Sequence, residues 1–369
     1  MLQSESCTEK YGLSAFFWNF QTGNQKPKKE YTPITHLIDN LTLAKANIML
    51  EEKEFLAAAD SGRIVVVKES LLYEPLCRVD CRDENGRSAL MLAACNGHKE
   101  VVALLVSHNC SLDAQSNKGS TALMIAAYNG HKEVVAVLVS HNCSLDAQSN
   151  NGWTALMIAA KNSRKEVVDV LVSHNCSLDA QSNKGSTALM IAAQNGHKEV
   201  VDVLVSHNCS LDAQNNEGAT ALMLAAQDGH KEVVDVLVCH NCSLDAQNNN
   251  GSTALMLSAY NGHKEVVDVL VSHKYKCSLN LRNRAGETAV TIARRRMHAE
   301  IAALIETQLH LNRNWDRRRA LMTVLVENKY LLLPSAVALA PQLLDGDIKM
   351  RHEQVLCNIF LVEQIMRYL

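Results

Sequence analysis

Cysteine and histidine are the side chains best suited to do chemistry, and this 369-residue chain carries 12 Cys and 15 His. Cys110, Cys143, Cys176, Cys209, Cys242 and Cys277 recur at near-regular intervals, and Cys239-His240-Asn241-Cys242 has the outline of a redox or zinc motif. Thiolates at such spacing ligate a soft metal or exchange a disulfide only if a second ligand pair closes the site. No second Cys/His pair stands at ligand spacing, and Cys239 takes the place of the Ser of neighbouring units. The histidines form two series: His98, His131, His197, His230, His263 and His298 in one, His108, His141, His174, His207, His240 and His273 in the other. A ladder strung along the chain is not the converging constellation that catalysis needs. Glycine-rich phosphate loops and nucleophile elbows are absent from the sequence. The residues therefore point to no enzyme, no metal and no cofactor, and their regularity becomes the thing to explain.

The regularity is a period of 33 residues. Ser116-Asn117-Lys118-Gly119-Ser120-Thr121-Ala122-Leu123-Met124 returns almost letter for letter at Ser182 to Met190. Gly86, Gly119, Gly152, Gly185, Gly218, Gly251 and Gly286 mark seven units; the last interval is two residues longer, because Lys274-Tyr275-Lys276 replaces a single Asn. Within a unit, Asn or Lys before Gly marks a tight turn. Thr121 is placed to cap a first helix over Ala122–Tyr128, whose Leu123, Ala126 and Ala127 share one small-residue face. Asn129-Gly130 closes it with a left-handed residue. A second helix, from His131 to about Ser140, turns Val134, Val135, Leu138 and Val139 inward. The six cysteines hold one position in this unit. Adjacent units stacked about 10 Å apart lie beyond the roughly 7 Å Cα limit for a disulfide, so these thiols read as small buried hydrophobes.

Composition fits such a stack, with 47% apolar residues, 4% aromatic, 20% charged and a formal net charge of −3. Near-neutral charge argues against a generic polyanion binder, and no apolar run approaches the roughly 18 residues of a membrane helix. Glu5 and Glu9 interrupt any basic signal-peptide start, so cytoplasmic residence, with the nucleus as a second compartment, is expected, and with it reduced thiols. Asn109-Cys110-Ser111 and its copies are then formal glycosylation acceptors only.

Turn, two antiparallel helices and a return loop in 33 residues resemble the ankyrin repeat, over about 230 residues from Asp83 to Asn312. The Gly-His-x-Glu-Val-Val stretch is kept, as in Gly130-His131-Lys132-Glu133-Val134-Val135, while the family's Thr-Pro-Leu-His becomes Thr121-Ala122-Leu123-Met124. The family's histidine there helps tie neighbouring units by hydrogen bonds, so its loss implies an array leaning more on apolar packing by methionine. Where the family has Gly after the second helix, Asn109, Asn142, Asn175, Asn208 and Asn241 stand, the next residue type to tolerate a left-handed conformation. The resemblance implies an all-α solenoid of stacked helix-turn-helix units with β-turn or hairpin loops. Residues 1–50 form an N-terminal extension, 51–82 a degenerate capping unit, 83–312 seven full repeats and 313–369 a small helical module. Phe16-Phe17-Trp18-Asn19-Phe20 in the extension either folds back on the first repeat or docks another protein.

In this family partners meet the concave side, made by turn tips and the exposed ends of first helices. These near-identical units differ at those same positions. After the turn glycine stand Arg87, Ser120, Trp153, Ser186, Ala219, Ser252 and Glu287; at the first helix's end stand Cys95, Tyr128, Lys161, Gln194, Gln227, Tyr260 and Arg295. The third unit also carries Ser163-Arg164 for Gly-His. Arg87, Tyr128, Trp153, Lys161, Arg164, Gln194, Gln227, Tyr260 and Arg295 are thus the candidate contacts for a protein partner, since Tyr, Trp and Arg dominate binding hot spots. Nucleic acid, membrane and small-molecule substrates are not expected, and the chain is expected to be monomeric. Arg294-Arg295-Arg296 and Arg317-Arg318-Arg319 suit a solvated cap, an acidic partner or nuclear targeting. An alternative function is a substrate-recruiting adaptor of a ubiquitin ligase, because Val355-Leu356-Cys357-Asn358-Ile359-Phe360 and Ile365 to Leu369 loosely resemble an F-box-like segment.

Overall fold

A computed structural model describes the backbone of residues 51–73, 79–272 and 277–327, with side chains as far as Arg313 in the last helix. The aromatic cluster at 16–20, the insertion Lys274-Tyr275-Lys276 and the F-box-like segment lie outside the described residues. Contacts divide the chain into Met1–Glu54, of which 51–54 are described and helical, and a second unit from Phe55 onward.

Alternating short helices follow from alternating sequence patterns. Helix α1 is described over 51–60. Then come α2 (Ile64–Tyr73), α3 (Ala89–Cys95), α4 (Lys99–Ser107), α5 (Ala122–Asn129), α6 (Lys132–Ser140), α7 (Ala155–Lys161), α8 (Lys165–Ser173) and α9 (Ala188–Gln194). They are followed by α10 (Lys198–Ser206), α11 (Ala221–Asp228), α12 (Lys231–Cys239), α13 (Ala254–Asn261), α14 (Lys264–Val271), α15 (Ala289–Arg295) and α16 (Ala299–Glu327). No strand occurs among the described residues, only an isolated bridge between Arg82 and Ser88.

Each first helix starts because a hydroxyl is waiting for it. Thr121 Oγ1 accepts from the Met124 amide at 3.3 Å, and Thr154, Thr187, Thr220 and Thr253 do the same in their units. The helix ends where the chain turns left-handed, at Gly130 with φ +85°. The asparagines after the second helices take the same region, with φ between +56° and +60°, as their side-chain type allows.

First helices pack on first helices and second on second: α3, α5, α7, α9, α11, α13 and α15 form one row, and α4 through α16 the other. Between the rows runs a continuous seam in which Leu123, Met124, Ala126, Ala127, Val134, Val135 and Leu138, with their equivalents, are buried. Phe55, Ala58, Ala59 and Val67 bury the seam's N-terminal end. At the other end α16 continues the second helix of the seventh unit without a break across Asn312 and Arg313, where the sequence suggested a separate module begins.

The expected lean on apolar packing by methionine is only one part of what joins the units. The methionines of the Ala-Leu-Met stretches are buried to about 1–2% exposure as anticipated, yet every stacked interface also carries ladders of hydrogen bonds. Between the third and fourth units, the Asn183 amide donates to Asn151 O (3.1 Å) and its side chain to Asn150 O (3.0 Å). Gln181 Nε2 donates to Gln214 O (3.2 Å), the Ser210 amide to Asp179 Oδ1 (2.9 Å) and His197 Nε2 to Lys161 O (2.9 Å). At about 0.5–1.5 kcal/mol net for each bond, the five together contribute about 2.5–7.5 kcal/mol, comparable to or above the roughly 1.5–3 kcal/mol from burying one methionine. The tie has moved to other residues of the unit; it has not been lost.

Candidate functional site

The histidines that open the second helices are structural ties. Cys95, Lys161, Gln194, Gln227 and Tyr260 each offer a backbone carbonyl at the end of a first helix, and His131, His197, His230, His263 and His298 of the following units bond to them at 2.9–3.3 Å. A carbonyl only accepts, so Nε2 carries the proton in each. The ring lies flat over the preceding unit's glycine: a Cβ on Gly97 would come within 2.7 Å of His131 Nδ1. The other histidine series turns inward on its own helix, as His141 Nδ1 bonds to Val137 O at 2.8 Å.

The cysteines are equally structural. Cys110, Cys143, Cys176, Cys209, Cys242 and Cys277 are buried, and burial first, then the carboxylate of the Asp in the preceding return loop, pushes each thiol up to about 12. Such thiols are poor nucleophiles and poor ligands at neutral pH. Cys239 is exposed.

What remains is the surface of turn tips and first-helix ends. The histidine ladder uses only the carbonyl of the helix-end residue, so the side chain there is spared from structural duty and can vary from unit to unit. Tyr128 and Tyr260 project with 58% and 39% exposure; Gln194 is exposed and Gln227 half-buried. The two variable sets meet within single units. Lys161 Nζ stands 5.2 Å from the Trp153 ring centroid, and the half-buried indole packs against the core beneath it. In the seventh unit Arg295 Nε reaches Glu287 Oε1 at 2.8 Å, and this hydrogen bond holds the Glu287 carboxyl below its ordinary value.

Two candidate cations are engaged inside the array. Arg87 Nε pairs with Asp83 at 2.7 Å; burial opposes the Asp83 charge, but the Arg87 amide and guanidinium outweigh it and hold the pKa down. Arg164 replaces a histidine in kind. Its Nε donates to Tyr128 O at 3.2 Å, and its Cδ covers Gly130 as an imidazole does elsewhere. Ser163 before it is left-handed, with φ +54°, as expected from the missing glycine. One contact was not anticipated from sequence: Arg296 places its guanidinium carbon 4.2 Å from the Tyr260 ring centroid, with Arg295 at 5.9 Å. The signal lay in the register, where Arg296 stands at the position of Asn261.

A family profile described as ankyrin repeats in three copies matches residues 55–149, 138–215 and 207–283, more than half of the chain. The chain belongs to the ankyrin-repeat family. A shorter likeness is to human short transient receptor potential channel 3, 42% identical over 60 residues. That stretch is 16% of this chain and 6% of the channel, so the chain spans only a small part of that relative's length. Ankyrin repeats are generally protein-interaction modules, and the match to the family begins inside the degenerate first unit. Among the described residues of this ankyrin array, no helix is long and apolar enough to cross a membrane, and no group of three or more His, Cys, Asp or Glu side chains is placed to hold a metal ion.

Proposed function

We propose that this chain is a non-enzymatic scaffold whose ankyrin array grips a partner protein along the face of turn tips and first-helix ends, the concave face of the family. The observation that carries this reading is the division of labour at the helix-end residue. Its carbonyl is held by the next unit in each of the first six full units, while its side chain there is Cys, Tyr, Lys or Gln. A surface whose backbone is tied in place and whose side chains vary can be specific without loss of stability. Tyr128, Trp153 with Lys161, and Tyr260 with Arg295 supply aromatic anchors of the kind that dominate binding energy. Arg87 and Arg164, committed to Asp83 and Tyr128 O, position this surface more than they contact a partner.

The test is affinity capture with the full chain, in the cytoplasm as the proposed compartment, beside Trp153→Ala and Tyr128→Ala variants of unchanged helical content. Partners held by the parent and lost from either variant support the face; capture indifferent to both rejects it. The adaptor alternative rests on 355–369, and no described residue favours it.

A further inference from the structure

We infer that the C-terminal end of this face, around Tyr260 and Arg296, is a subsite for an acidic, extended segment of the partner protein. The inference rests on the binding face proposed above and gives its partner a charge. Units two to six keep three neutral amide positions in register. Gln247, Asn249 and Asn261 and their equivalents hold these places, the last varied only by Asp228. In the seventh unit all three become arginine: Arg282, Arg284 and Arg296. Elsewhere the amides have work to do, as Gln214 Nε2 donates to Gln247 O and Asn249 Nδ2 to Asn216 O. Arg282, with no further unit in the ladder, turns back to Gly286 O at 2.6 Å.

A cap needs polar side chains on its outer face, but either sign or neutral amides would serve. Here the exchange is cationic at all three positions. The carboxylates of this end are taken by other cations: Glu287 by Arg295, Glu306 by Arg294 and Glu300 by Lys264. The guanidinium of Arg296 has no carboxylate within salt-bridge distance among the described residues. It lies on the face of Tyr260, 39% exposed, with only a long 3.4 Å bond from Nε to Tyr260 O. Ring stacking orients the planar fork while leaving its terminal N–H donors for a bidentate carboxylate. The same turn that holds Arg295 through Glu287 carries Arg284, which is exposed. The turn and helix-end residues of the units before it, from Trp153 to Ser252, add Lys161, Lys184, Glu217 and Asp228, which cancel in charge. The partner's charge is therefore specified at one end and its apolar anchor at Trp153. Three stacking steps of roughly 8–10 Å separate those points, a span that about eight or nine extended residues cover.

Selection of a random dodecapeptide library against the full chain tests this directly. The expected peptides carry an Asp/Glu cluster some eight residues from an aromatic or aliphatic residue, and bind in fluorescence polarisation. Arg296→Glu weakens them at least tenfold, Arg296→Lys retains part of the binding, and raising salt to 0.5 M weakens the parent complex. Arg284→Glu, on an exposed turn, provides a second variant should Arg296→Glu perturb the fold. Peptides without acidic enrichment, or acidic ones indifferent to both charge reversals but lost with Trp153→Ala, overturn the acidic subsite and leave the face standing. Peptides indifferent to every one of these substitutions overturn the face itself.

Discussion

At the scale of single residues, the side chains that invite a catalytic reading turn out to hold the stack together. A thiol raised to about 12 stays protonated in the folded state at pH values where the unfolded chain, near 8.5, has already ionised. The stability this confers is complete below about pH 8.5 and declines as pH climbs from there toward 12, because the unfolded state binds fewer protons. Six thiols share the shift, so the urea midpoint is expected to fall between pH 9 and 10.5. The Cys176→Ala and Cys209→Ala double variant should show a shallower fall, whatever its midpoint at pH 7. In the same samples, iodoacetamide at pH 8 should leave the six untouched until the chain is unfolded. Equal alkylation of native and unfolded protein at these positions would refute the assignment.

At the scale of the helix pair, the sequence was legible wherever a local rule decides the structure. The glycine turns, the threonine caps and the asparagines near φ +60° follow from backbone preferences of single residues. The seam follows from the spacing of Leu, Met, Ala and Val. The ladders were not legible, because Gln181, which donates to Gln214 O, looks in sequence like one more surface glutamine. Arg164 was misleading for a similar reason: on sequence alone it is a cation at a variable position, and only its reach to Tyr128 O shows it standing in for histidine. The helix junction at Ser163-Arg164 separates these effects. A left-handed serine is strained by about 1 kcal/mol, so Ser163→Gly should raise stability by roughly that amount. Arg164→Ala removes the bond and should cost about 1 kcal/mol, whereas Arg164→His should stay close to the parent. Urea midpoints decide it, and Arg164→Ala without loss would mean that the carbonyl of Tyr128 needs no partner.

At the scale of the molecule, every tie described joins neighbours, so stability is a sum over units and the interfaces between adjacent ones. Such a chain is only as cooperative as its weakest interface. The junction of the third and fourth units is the natural place to cut, since the third already carries the left-handed serine. Asn183→Ala with His197→Ala deletes two of the five hydrogen bonds there, a loss of about 1–3 kcal/mol confined to one interface. Trp153, in the third unit, reports its own side of the cut when Trp18 and Trp315 are changed to Phe, while far-ultraviolet circular dichroism reports all the helices. In that background the two probes should trace one urea transition. With the interface weakened they should separate, the units from Ser182 onward unfolding at a different midpoint from those before it. A domain built around one globular core would answer the same lesion with a single displaced transition, and coincident curves in the double variant would show that this array shares that long-range cooperativity.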